Sequence, residues 1–211
     1  PIGGILLTIG FAFIIYMIGG TLLSARPLRM PARFVATGLL SLAATAILGL
    51  GFTLGLSGFV EASFLDHLLL NGLSLHAFFG LIGWMTVSAF GVSYRLLSMF
   101  LLAPEVERRT TRVAWLLLAT AVVGAIASIP AAAFGRTVTV GIHGIIAIAG
   151  IAAFFFIWDV LALYRLRKRK ALELNTQMSA VAAGALMLSI CLFLFLAARG
   201  SLTEQIGAVV Y

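Results

Sequence analysis

Three histidines, one cysteine and seven carboxylates are all that this 211-residue chain offers to metal or acid–base chemistry. Two of the histidines recur in a shared setting. His76 opens the run Leu75-His76-Ala77-Phe78-Phe79-Gly80-Leu81-Ile82-Gly83-Trp84, which closes on Tyr94-Arg95-Leu96-Leu97. His143 opens Ile142-His143-Gly144, which closes on Tyr164-Arg165-Leu166. A glycine stands seven residues after each histidine, at Gly83 and Gly150. Histidine is the ionisable side chain most cheaply kept neutral in hydrocarbon, and its free nitrogen is a good ligand for haem iron or copper. Small neighbours, Ala77, Gly80 and Gly83 in one run and Gly144, Ala147 and Gly150 in the other, would let a flat macrocycle approach the backbone. The same histidines would equally serve to hydrogen-bond a neighbouring carbonyl.

The other polar groups carry weaker signals. His67 stands with Asp66 and Glu61 in an acidic stretch and reads as a solvated loop histidine. Asp159, between Trp158 and Val160, is either a proton-path carboxylate or the partner of a snorkelling Arg95 or Arg165; its nearness to a basic cluster favours the ion pair. Tyr94, Tyr164 and Trp115 fit an interfacial aromatic belt. The Phe154-Phe155-Phe156 run reads as packing. Cys191 is alone, so neither an internal disulfide nor a paired-cysteine metal motif is available. No phosphate-binding loop, zinc-protease motif or nucleophile elbow is present.

The elements that position these residues follow from hydropathy. The chain is 62% hydrophobic and 10% charged, arranged in apolar runs long enough to cross ~30 Å of hydrocarbon. The runs are continuous rather than alternating, which predicts an all-α polytopic bundle and not a membrane barrel. Six spans are expected, at about 2–25, 32–56, 74–102, 111–134, 138–164 and 177–198, forming one transmembrane domain over 1–211. Residues 57–73 are less apolar, and 61–70 reads as a short helix lying at the interface. Gly38, Gly49, Gly51 and Gly55, with Ala43, Ala44 and Ala46, give span two a surface for close helix packing. Pro130 falls in the last turns of span four. The tight Gly135-Arg136-Thr137 connection makes spans four and five antiparallel neighbours.

The net charge of +7 does not point to nucleic acid, because the basic residues sit between the spans. Twelve of the fourteen, from Arg26, Arg29 and Arg33 to Arg165, Arg167, Lys168, Arg169 and Lys170, follow spans one, three and five. The positive-inside rule then places both termini outside, on the periplasmic face of a bacterial inner membrane. Spans three and five run in the same direction, with His76 and His143 at matching depth in the outer third of the bilayer. Spans three–four and five–six form a weak parallel repeat. Pro1, without a preceding Met, and the apolar residues 207–211 read as flanks within a longer chain.

The stretch from Leu75 to Trp84, with Gly91-Val92-Ser93-Tyr94-Arg95-Leu96-Leu97, resembles a helix of the haem-copper oxidase subunit I-like superfamily. It is most similar to that superfamily's small members and to NnrS-type haem-and-copper membrane proteins. The second histidine of their His-x-His start is Phe78 here, and the proline after Leu-Leu is Ser98. Such an oxidase needs about six histidines for two haems and a copper, and this chain has three. The resemblance therefore implies no oxygen- or nitric-oxide-reducing centre and no copper. It implies one haem b held between His76 and His143, for electron transfer or nitric-oxide-related redox, in contact with lipid and with other membrane subunits. The alternative is a non-catalytic accessory subunit of a larger respiratory or photosynthetic complex, pigment-binding if a histidine ligates chlorophyll magnesium. A transporter has least support, since intramembrane charge is scarce.

Overall fold

A computed structural model describes residues 2–58, 60, 62–104, 107–168 and 173–198. Glu61, Arg169, Lys170 and residues 199–211 lie outside the described residues. Among the described residues there are six helices long and apolar enough to span a membrane: α1 (Ile2–Ser24), α2 (Met30–Leu56), α3 (Ser63–Leu101), α4 (Arg109–Ala133), α5 (Thr139–Arg165) and α6 (Leu174–Ala198). The all-α membrane bundle expected from hydropathy is the fold observed. In lipid a backbone has no water to bond, so each crossing segment must satisfy itself as a helix.

One boundary differs. The segment expected to lie flat at the interface is instead the first turns of α3, which runs unbroken for 39 residues, about 58 Å at 1.5 Å per residue. The reason is periodic. Leu65, Leu68, Gly72, Leu75 and Phe79 are all buried, and this 3–4 spacing marks one helical face. Asp66, His67 and Asn71 lie off that face, and Asn71 Nδ2 donates back to the His67 carbonyl at 2.9 Å. Residues Phe78–Thr86 of α3 are wound as a π-helix. Helix α5 has no such segment, so the proposed repeat of α3 in α5 does not extend to their winding.

Close approach of α2 and α3 is the tightest packing. A Cβ on Gly91 would lie 2.6 Å from the Pro31 carbonyl oxygen and 2.8 Å from Phe34 Cβ; one on Gly83 would lie 2.6 Å from Ser41 Cβ. Between hydrocarbon-solvated helices there is no hydrophobic drive to associate, so contact at small residues supplies the dispersion energy. Helices α4 and α5 pack through an alanine-rich seam, with Ala114, Ala121, Ala125, Ala152 and Ala153 buried. They form the antiparallel pair anticipated from their short connection. Helix α4 continues a turn past Pro130 and ends on Gly135 at φ +74°; Gly135 N–H bonds Ala132 O and Arg136 N–H bonds Ala131 O, a Schellman closure.

Helix α1 has no buried residue and packs on α2 alone among its substantial contacts. The basic connectors share one end of the bundle: Arg29, Arg95 and Arg108 border one cavity, and Lys168 N–H bonds the Leu101 carbonyl at 3.2 Å. Replacing Gly91 with alanine is expected to destabilise the protein by about 1–3 kcal/mol through overpacking. Gly150→Ala, where a Cβ meets nothing within 4 Å, should be neutral or slightly stabilising. Thermal unfolding in detergent compares the two.

Candidate functional site

Two polar centres lie within the bundle. The first is His76. It stands at the last turn before the π segment, and its ring lies against α2: Cε1 is 3.1 Å from where a Gly49 Cβ would be. Phe52 meets the imidazole edge-on, ring centroids 5.3 Å apart. A Cβ at position 49 would press on the ring, which would have to give by a few tenths of an ångström. The Thr45 carbonyl is close enough to act on the ring, yet the buried Nδ1 makes no hydrogen bond of regular geometry. A buried polar atom without a partner costs about 1–3 kcal/mol, so it calls for a reason. The ring lines a crevice of about 370 Å³, walled by Leu7, Thr8 and Phe11 of α1 and by Thr45, Gly49 and Phe52 of α2.

The structure does not bring His143 to this crevice. His143 is half-buried on α5, whose adjoining Ile145 packs at Gly124 of α4. His67 of α3 packs at Gly135, in the α4–α5 turn, and α3 starts at Ser63 rather than near residue 74.

Of the two histidines singled out by spacing, His76 alone is among the residues that line this crevice. His76 offers an imidazole whose buried Nδ1 makes no regular hydrogen bond, on the wall of a largely apolar crevice and beside a π-wound segment. Such segments are rare and concentrate at functional sites. Among the described residues no cluster of three or more His, Cys, Asp or Glu side chains forms a metal site.

The second centre is Asp159, 1% exposed. Its groups in contact are hydroxyls rather than the guanidinium anticipated. Tyr94 Oη donates to Oδ2 at 3.0 Å, Thr111 Oγ1 donates to Oδ2 at 2.7 Å, and Thr110 Oγ1 donates to Oδ1. Three helices, α3, α4 and α5, are thereby joined at the basic end. Phe156 stacks on Phe90 at 3.8 Å and meets Tyr94 edge-on at 5.3 Å, sealing the carboxylate on the bundle side. The residues read as a belt are tied inward as well: Trp115 Nε1 donates to Thr37 Oγ1 at 3.1 Å beneath the Arg33 guanidinium, and Tyr164 Oη donates to the Thr176 carbonyl. The two threonines at the start of α4 went unnoticed in the sequence. Their signal was two adjacent hydroxyls at a helix start on the side of the membrane where Asp159 falls.

No protein-family model matches this chain, and no curated protein or solved structure is significantly similar to it. None of these comparisons links the chain to the haem-copper oxidase superfamily. What fold and sites together define is an integral membrane helical bundle with an apolar histidine crevice and a hydroxyl-bound carboxylate.

Removing one hydroxyl with Tyr94→Phe should cost about 1.5–3 kcal/mol, the range for a hydrogen bond to a charged group. Asp159→Ala should cost more, because it strands all three donors. Unfolding midpoints in detergent are the measurement, and equal stability of Asp159→Ala and the parent would remove this centre's structural role.

Proposed function

We propose that this protein is a cofactor-carrying membrane subunit in which His76 would hold a metal tetrapyrrole, haem b in the first instance, at the crevice between α1 and α2. The observation that supports the reading is the buried His76 Nδ1 without a hydrogen-bond partner, on a ring that faces an apolar crevice. Bound there, the group would supply one-electron redox chemistry. The chain's own residues do the rest. Gly49 leaves room for the ring, and Phe52 packs edge-on against it. Phe11 and Leu7 contribute apolar surface to the crevice wall, which would raise the cost of charge at a group bound there. His143 has no ligand role in this reading, in contrast to the paired arrangement inferred from spacing. Without a cofactor the same bundle is an accessory subunit.

The absorption spectrum of the purified protein, before and after dithionite, separates the two. A Soret band is expected in the parent and in His143→Ala, and is expected to be lost in His76→Ala. A parent protein without the band, or a His76→Ala spectrum identical to the parent's, ends the proposal.

A further inference from the structure

Helices α1 and α2 form a hairpin whose connection, residues 25–29, lies at the basic end of the bundle. The His76 crevice lies toward the open end of that hairpin. Its α1 wall is Gly4, Leu7, Thr8 and Phe11, about 20–30 Å along the helix from Ser24 at 1.5 Å per residue. We propose that α1 is a movable wall, hinged at residues 25–29, and that the crevice exchanges its occupant with the surrounding lipid through the seam between α1 and α2. The exchange, though not the motion, rests on the cofactor reading of His76.

Helix α1 buries none of its residues, and its substantial contacts among the described residues are with α2. Leu6, Phe13 and Met17 are exposed on its other sides, where hydrocarbon backs it. Helix α2 is anchored instead, with Phe34, Leu42 and Leu48 buried, so relative motion falls to α1. Among the described residues no hydrogen bond or ion pair joins the two helices. The hydroxyls of the seam bond back along their own helices: Thr8 Oγ1 donates to the Gly4 carbonyl at 2.9 Å, Thr45 Oγ1 to that of Ser41 at 2.9 Å, and Thr53 Oγ1 to that of Gly49 at 2.8 Å. Parting the helices therefore strands no polar group in lipid. Dispersion at small residues holds the seam. It is tightest at Gly4, where a Cβ would lie 2.7 Å from Thr53 Cγ2 and 2.9 Å from Thr53 Cβ. This contact is a latch at the open end, and the crevice lies just inside it. A tilt of about 10° at the connection moves the crevice wall by about 4 Å, close to the contact spacing of two carbon layers, which is what a flat apolar group needs to slide between. An element with so little burial opens at low cost.

Two measurements on the full chain in phosphatidylcholine nanodiscs test this, both in a Cys191→Ser background. Spin labels at Leu6→Cys and Ile47→Cys, two exposed positions, read the α1–α2 separation by pulsed dipolar spectroscopy. A second population longer by about 4 Å is expected; a single narrow distribution overturns the movable wall. Haemin uptake from loaded vesicles, followed at the Soret band, reads the route. In Gly4→Cys/Thr53→Cys, oxidation pins the latch, since the two Cβ atoms start 2.9 Å apart and a disulfide needs about 3.5–4.5 Å. Uptake by the oxidised pair should be at least tenfold slower than by Thr53→Cys alone. Equal rates overturn the lipid route and leave the cofactor reading standing. Oxidation after loading should leave the band unchanged; its loss would assign the slowing to a damaged site and overturn the route. If neither the parent nor Thr53→Cys takes up haemin, the cofactor reading and the route fall together, and the label distances still decide whether α1 moves.

Discussion

A carboxylate inside a bundle surrounded by hydrocarbon must find its donors within the protein. Asp159 finds them on two other helices, and that requirement fixes how α3, α4 and α5 meet. An unpaired buried charge costs several kcal/mol, far more than any single packing contact between lipid-solvated helices. Three neutral hydroxyls meet the need without a second buried ion. Such a centre holds the carboxylate in place with neutral partners.

The opposite economy governs α2 and α3. There the backbones approach so closely that Ser41, Pro31 and Phe34 occupy the space of absent side chains. The same principle operates at Gly49, where the missing Cβ makes room for the His76 ring. Packing and site therefore use one device along one helix: small residues on α2 bring α3 near at some levels and admit a side chain at another. Helix α1, whose substantial contacts among the described residues are with α2, completes the wall of that crevice and buries none of its own residues.

Most of the architecture was readable from hydropathy, because crossing a bilayer demands long apolar runs whatever their partners. The Gly135 turn and the glycines of α2 were readable for the same reason: each answers a local steric need. The start of α3 was misread because Asp66, His67 and Asn71 suggested a surface segment, although the Leu65, Leu68, Gly72 and Leu75 spacing already carried the helical period. The candidate site was half legible. Spacing singled out His76, and burial gives it a reason. Spacing also paired it with His143, and pairing is a long-range property that a one-dimensional repeat does not encode. For Asp159 the apolar setting was plain, but the threonines that serve it lie almost fifty residues away.

The π segment has a geometric consequence. Eighteen residues separate His76 from Tyr94, about five complete turns at 3.6 residues per turn, so on a uniformly wound α-helix both side chains would project along one azimuth. Nine residues of wider winding intervene and put the two halves out of phase. One half presents its imidazole to the α1–α2 crevice while the other presents its phenol to α5. The segment works as a phase shifter within a single rod, and a deletion there would rotate one site relative to the other without altering a residue in either.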